Sequence, residues 1–290
     1  MIDQSDVTII IPYIQLSKET DFAHKECLKS LNETAPEMKK IVAINAMKTE
    51  DPFQTVRYPN MSFIVLEEQG QELAVNAAVA TTNTKWVFVT NNDMIYPPGW
   101  WEKLMVGHSF DMACVSPKLI EPRPGAPTFE VFFAGGAGGD FDKQKWEKFA
   151  DEYMKADVHR PVRTGFNLPF LMRRDVFDLV GGYDIEYSPW GASGDTDLQC
   201  KVELAGIKTY QNPNCIVYHF SQTSNTFLPE NHGYWQKNYA YFEKKWGFER
   251  PGGDDVWNSR NLIKYEQIKF KPWWENFYKK ALSENKAKLS

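Results

Sequence analysis

Apolar strands alternate with helices from the start of this chain, and that alternation leaves few folds open. Val7-Thr8-Ile9-Ile10-Ile11-Pro12-Tyr13 is a continuous strand pattern ended by proline. Residues 19–32 place Phe22, Cys27, Leu28 and Leu31 at helical spacing, with Pro36 beyond their end. Lys40-Ile41-Val42-Ala43-Ile44-Asn45 and Ser62-Phe63-Ile64-Val65-Leu66 read as strands, residues 71–80 as an alanine-rich helix, and Trp86-Val87-Phe88-Val89-Thr90 as a fourth strand. A strand with no polar face must be covered on both sides, which is the condition of a parallel sheet. The predicted class is α/β: a mostly parallel, doubly wound sheet flanked by helices, with right-handed crossovers. No internal repeat is visible.

Further along, the pattern loosens. Glu121-Pro122-Arg123-Pro124-Gly125-Ala126-Pro127 can only be loop. Gly135-Gly136-Ala137-Gly138-Gly139 has the composition of a phosphate cradle, but it lacks both a P-loop lysine and a GxGxxG frame, so a turn is the preferred reading. Residues 142–156 carry Trp146, Phe149, Tyr153 and Met154 at helical spacing, and residues 167–172 return to strand. Residues 234–246 set Trp235, Tyr239, Phe242 and Trp246 on one helix face, with Gly247 as the stop. That stripe reads as core rather than as a sugar platform. The expected organisation is one domain over residues 1–225, with a nucleotide-binding half at 1–100 and an acceptor half at 101–225. A helical, aromatic-rich, basic extension follows at 226–290.

The 290 residues are 42% hydrophobic and 14% aromatic, enough for one large core. A net charge of -5 offers no basic field to nucleic acid. The charge is uneven: residues 260–290 hold eight Lys/Arg against three Glu, an excess of +5 that leaves -10 on the rest. This tail, with Trp273, Trp274, Phe277 and Tyr278, could touch an anionic membrane surface or pack its aromatics on the domain; the second is preferred. Cys27, Cys114, Cys200 and Cys215 form no CxxC pair, which fits a reduced compartment and argues against zinc. The sequence shows no signal peptide and no apolar stretch of about 20 residues. The expected location is cytoplasmic, with peripheral membrane contact through the tail as a further option.

Three clusters carry chemistry. Asn91-Asn92-Asp93 ends the fourth strand, and a carboxylate there lies at the mouth of an open α/β sheet, where ligands bind. It suits a hard divalent cation held by few protein oxygens and bridging to phosphates. Asn-Asn-Asp is also ordinary turn composition. In Trp190-Gly191-Ala192-Ser193-Gly194-Asp195-Thr196-Asp197-Leu198, a glycine-rich loop leads two acids onto a helix N-terminus. Acids two apart do not share a helix face, so one can cap while the other points into the cleft as a general base. His219, ending the run Ile216-Val217-Tyr218-His219, is either a satisfied structural residue or a nitrogen ligand for Mn²⁺ or Mg²⁺ beside a carboxylate.

Taken in order, these segments resemble the family 2 glycosyltransferases of the GT-A fold over roughly residues 7–225. Thr8-Ile9-Ile10-Ile11-Pro12-Tyr13 resembles the strand that touches the nucleotide, and Asn45 stands where the family often has an Asp for the base or ribose. Gly70 and Asn76 resemble a G…N pattern before the metal strand. Asn91-Asn92-Asp93 resembles the DxD motif, with two neutral residues lowering its negative charge. Gly194-Asp195-Thr196-Asp197-Leu198 resembles Glu-Asp-x-Asp-Leu with Gly194 in place of Glu, and Tyr218-His219 resembles the strand-end His of the metal site. The resemblance implies nucleotide-sugar contacts from Pro12, Tyr13, Asn45, Gly70, Asn76, Asn91, Asn92 and Asp93. It implies Mn²⁺ or Mg²⁺ on Asp93 and His219, and Asp195 as catalytic base. Asp197 is expected on the acceptor side with Trp190, whose indole stacks on a sugar or packs the loop.

The expected activity is inverting, metal-dependent transfer from a nucleotide-diphosphate sugar (UDP or GDP type) to a hydroxyl of a carbohydrate or glycoconjugate acceptor. Two alternatives are a sugar-phosphate nucleotidyltransferase and a non-catalytic carbohydrate-binding protein on the same fold. Against the first, Pro12-Tyr13-Ile14-Gln15-Leu16-Ser17-Lys18 lacks the glycine-rich phosphate loop it needs. Against the second, acids stand at both critical positions.

Overall fold

A computed structural model describes residues 2–46, 58–106, 112–123, 130–156, 158, 160–189, 191–221 and 232–247. Among them lie β1 (Val7–Tyr13), α1 (Lys18–Thr34), β2 (Lys39–Ile44), β3 (Met61–Val65), α2 (Gln71–Ala80), β4 (Trp86–Val89), β5 (Met94–Ile95) and α3 (Trp100–Met105). There follow β6 (Cys114–Glu121), β7 (Glu130–Val131), α4 (Lys143–Lys155), β8 (Arg163–Thr164), β9 (Phe170–Arg173), α5 (Arg174–Leu179), α6 (Gly194–Leu204), β10 (Thr209–His219) and α7 (His232–Trp246). The basic aromatic tail at 260–290 is outside the described residues.

The sheet runs β3-β2-β1-β4-β9-β6-β10-β5, with β7 beside β6 and β8 beside β10. β1 is parallel to β2 and β4, and β2 to β3, as the unbroken apolar runs require. Every residue of β1 is buried. Its alternate side chains enter opposite layers: Ile9 and Ile11 join Leu28 and Leu31 of α1 and Trp100 of α3, while Ile10 joins Val75 and Val79 of α2. Helices therefore cover both faces. The sheet departs from pure parallel winding at β9 and where the short β5 and β8 pair with β10. β9 lies antiparallel to both β4 and β6 in the middle of the sheet. The tripeptide Phe170-Leu171-Met172 is as apolar as any parallel strand, so its direction could not be read from its composition.

Two long-range features bring the site together. β10 runs parallel to β6, with a register shift between Asn212 and Ile216 where Pro213 interrupts the ladder. At its end, β5 pairs antiparallel with it, His219 opposite Met94, and the Phe220 N–H donates to the Asp93 carbonyl at 3.1 Å. Met94 follows Asp93 directly, so this pairing sets Asp93 beside His219, 126 positions later in the chain.

The helix α7 seats Phe242 and Trp246 against Tyr187 and Cys200. Trp235 and Tyr239, on the same predicted face, are only half-buried. Polar contacts complete the seam. Lys245 Nζ lies 2.6 Å from both Asp184 Oδ2 and Asp197 Oδ1, Trp246 Nε1 donates to Asp197 Oδ1 at 2.8 Å, and Asn238 Nδ2 donates to the Tyr187 carbonyl at 2.7 Å. Lys201 Nζ adds a second ammonium 3.4 Å from Asp197 Oδ2. Two carboxylates and two ammonium groups thus balance in a buried cluster. Removing one member leaves an uncompensated charge, at a cost of about 3–5 kcal/mol. Lys245→Met is expected to lower unfolding free energy by an amount of that order, measured by urea denaturation at neutral pH.

Candidate active site

Of the residues singled out in the first half, Pro12, Tyr13, Asn45 and Asn91 to Asp93 lie at the C-terminal ends of parallel strands and Gly70 at the start of α2, the crevice where such sheets bind ligands, while Asn76 lies mid-way along α2. Their roles differ from one another. Pro12 and Tyr13 are buried. The Tyr13 ring stacks on His24 with centroids 4.1 Å apart, and its hydroxyl donates to Asp21 Oδ1 at 2.6 Å. Burial lowers the His24 imidazole to about 3, which keeps it neutral in this stack. The next two residues, Ile14 and Gln15, are more exposed than Pro12 and Tyr13.

Asn45 and Asn76 are clamps on the backbone. Asn45 Nδ2 donates to the Tyr13 carbonyl at 2.8 Å, and Asn45 Oδ1 accepts the Gly70 N–H at 3.2 Å. Only an amide can do both, since a carboxylate has no proton to offer the Tyr13 carbonyl. This explains physically why Asn stands here rather than Asp. Asn76 Nδ2 donates to the Tyr183 carbonyl at 2.8 Å and Oδ1 accepts the Tyr183 N–H at 2.9 Å. A Cβ on Gly182, whose φ is +62°, would lie 2.6 Å from Asn76 Oδ1, so this close approach needs glycine. Both residues were expected at the nucleotide, and in the structure each ties backbone segments together.

The pinned Tyr183 donates its hydroxyl to Asp195 Oδ1 at 2.9 Å. Asp195 is half-buried in the first turn of α6, where the helix dipole favours a carboxylate. Asp197 corrects an expectation. Its side chain is fully buried and bound by Lys245, Lys201, Trp246 and Tyr187, so it anchors α6 and does not face an acceptor. Trp190 lies outside the described residues.

On the other side of the crevice, Asp93 Oδ2 lies 3.4 Å from His219 Nε2, and Glu121 Oε1 lies 2.7 Å from His219 Nδ1. Burial alone would lower the His219 imidazole. The Asp93 and Glu121 carboxylates outweigh it and raise the ring to about 10. The donor set suits a divalent cation: a carboxylate oxygen and an imidazole nitrogen close enough to share one ion, with Glu121 orienting the ring from behind. Among the described residues there is no group of three or more His, Cys, Asp or Glu fit to hold a metal, so phosphate oxygens and water would have to complete the shell. Asn91 meets the helix side, its Oδ1 accepting from Gln71 Nε2 at 3.3 Å. Asn92 is half-buried beside it.

Gln71 and its neighbour Glu72 join the two sides, Gln71 at Asn91 and Glu72 beneath the loop that carries Asp195. Sequence reading missed Glu72, Glu121 and Tyr183. A signal existed for the first two: an acid in an alanine-rich helix turn, and an acid closing an apolar strand ahead of Pro122. A cavity of about 460 Å³ opens beside Pro122 and Phe220, lined also by Glu19, Arg123 and Phe133, and Asp195 does not line it. The glycine run at 135–139 is a closed turn, with Asp140 Oδ1 accepting the Gly136 N–H at 2.9 Å. A carboxylate already occupies that amide, so the run is no phosphate cradle.

A sequence profile described as glycosyl transferase family 2 matches residues 24–179, 156 of the 290 positions. The chain belongs to glycosyl transferase family 2. As a glycosyltransferase of this family it shares its fold with two solved structures of low identity. One is GalNAc-T7 with UDP, GalNAc and Mn2+: 14% identity, TM-score 0.55, covering 83% of this chain and 48% of that one. This chain therefore spans about half of that protein's length. The other is the mannosyltransferase PcManGT from Pyrobaculum calidifontis in complex with GDP-Man and Mn2+: 13% identity, TM-score 0.54, covering 97% of this chain and 75% of that one. No curated protein matches the chain in sequence. No described helix is long and apolar enough to cross a membrane. The four cysteines are free and buried.

Asn45→Asp is expected to lower stability by about 1–3 kcal/mol, because the Tyr13 carbonyl loses its donor and meets an anion. Thermal unfolding of the two proteins at pH 7 reads this directly.

Proposed function

We propose that this protein transfers a glycosyl group from a nucleotide-diphosphate sugar to an acceptor hydroxyl, with inversion, using Asp195 as general base. The observation that carries the reading is the meeting of Asp93 and His219, 3.4 Å apart, at the crevice of a family 2 chain. Asp93 and His219 would hold Mn²⁺ or Mg²⁺, with Glu121 fixing the ring. When bound, the cation supplies positive charge to the diphosphate leaving group. Asn91 and Asn92 line the same strand end and offer neutral polar contacts to the donor.

Asp195 is suited to take the acceptor proton. It is half-exposed, and Tyr183, itself clamped by Asn76, donates to its Oδ1. The proton moves from the acceptor hydroxyl to the Asp195 carboxylate as the acceptor oxygen bonds to the anomeric carbon and the nucleoside diphosphate departs from the opposite face. Donors of UDP and GDP type fit the reading because proteins of this fold are solved with UDP and with GDP-Man. The acceptor class supported is a carbohydrate or glycoconjugate hydroxyl.

Release of nucleoside diphosphate from a panel of UDP-, GDP- and dTDP-sugars, and of CMP from a CMP-sugar, with Mn²⁺, Mg²⁺ or EDTA, tests the class. Turnover is expected with one donor only when metal is present. Asp93→Ala should remove metal-dependent nucleotide binding, measured by calorimetry. Asp195→Ala should lower transfer by about 10²–10⁴-fold while leaving donor affinity within a few-fold of wild type. Transfer that survives Asp195→Ala would sink its assignment as base.

A further inference from the structure

Glu72 is a carboxyl group that nothing in the proposed chemistry uses, yet the loop beside Asp195 is shaped around it. It lies in the first turn of α2, only 2% exposed. A Cβ at Gly194 would come within 2.4 Å of Glu72 Oε1, and a Cβ at Gly191 within 2.8 Å. Both glycines are thus space for this one side chain, and Gly194 is the residue immediately before Asp195. Ser188 Oγ donates to Glu72 Oε2 at 3.3 Å. The charged and titratable groups around it are Asp195 on α6 and Tyr183 and Asp184 on the preceding loop. Lys245 on α7 is engaged by Asp184 and Asp197, and Lys201 on α6 by Asp197.

We propose that Glu72 is a positioning residue for Asp195: a carboxylic acid that keeps its proton, so that Asp195 alone carries the negative charge at the turn. The inference rests on Asp195 being the base. Burial raises the Glu72 carboxyl to about 8; its own backbone amide pulls the other way, and the Asp195 charge adds a smaller upward push. At neutral pH one carboxyl of the two is neutral and the other charged, a division of labour that follows from like charges sharing a dry site. When Glu72 ionises above that range, a second negative charge appears under the same turn.

The test is a carbon-13 NMR titration of the full chain labelled at the glutamate carboxyl, with the Glu72 signal assigned by its loss in Glu72→Gln. A midpoint near 8 is expected, moving to lower pH in Asp195→Asn, where the neighbouring charge is gone. A midpoint in the ordinary glutamate range of about 4.3, or one unmoved by Asp195→Asn, overturns the proposal. Should Glu72→Gln fail to fold, the single high-midpoint glutamate in wild type and its shift in Asp195→Asn still decide it. Thermal unfolding gives a second arm. The folded-state value lies above the unfolded 4.5, so Glu72 contributes stability at low pH that is lost as pH rises toward 8. Wild type should therefore lose melting temperature between pH 5 and about 8.5 relative to Glu72→Gln, and parallel curves would count against the idea. Neither readout needs turnover. The base assignment fails by transfer surviving Asp195→Ala, and the Glu72 assignment fails by an ordinary midpoint.

Discussion

Charge buried in a dry interior must be paired or given up, and the arrangement of this crevice follows from how that demand is met in three places. Under α6, Asp184 and Asp197 are matched by Lys201 and Lys245, so α7 is bound to the domain by ionic contacts as much as by Phe242 and Trp246. Below β10, Asp93 and Glu121 share His219 from its two ring nitrogens. Between them Glu72 pairs with no cation among the described residues, and as proposed it meets the same demand by holding a proton. Each solution is different: the first pairs carboxylates with ammonium groups, the second pairs them with an imidazole, and the third, as proposed, uses a proton.

The rest of the site is held by neutral hydrogen bonds to backbone. Asn45 ties the end of β2 to β1 and to the start of α2, and Asn76 ties α2 to Tyr183. Through Tyr183 that second clamp reaches Asp195. A chain of contacts therefore runs from the central parallel strands to the proposed base without passing through an exposed loop. Such support limits the freedom of a group that must meet an acceptor proton in one geometry. Gln71 and Glu72, consecutive in one helix turn, link this chain to the Asn91 side, which makes the N-terminus of α2 the hinge between the two halves of the crevice.

Much of the fold was legible in the sequence because parallel strands buried on both faces have no choice of pattern. The runs at Val7–Tyr13, Lys39–Ile44 and Trp86–Val89 could be placed within a residue or two, and so could α1, α2 and α4. The antiparallel β9 was not legible as such, since strand direction leaves no mark on the apolar tripeptide Phe170-Leu171-Met172. Asp197 shows a related limit. Two acids two apart on a helix N-terminus look alike in sequence, and only the packing of α7 against one of them made it an anchor.

The sequence by itself determined the class of fold, the crevice at the strand ends and the family, because apolar periodicity and ordered short motifs are local properties of the chain. Tertiary structure alone decided which groups meet. Asp93 and His219 stand together because β5 turns back onto β10, Glu121 joins them because β6 runs alongside, and Glu72 enters the turn beside Asp195 because Gly191 and Gly194 leave it room. Such meetings depend on register and on the volume left between side chains distant in sequence, and neither quantity is written at any single position.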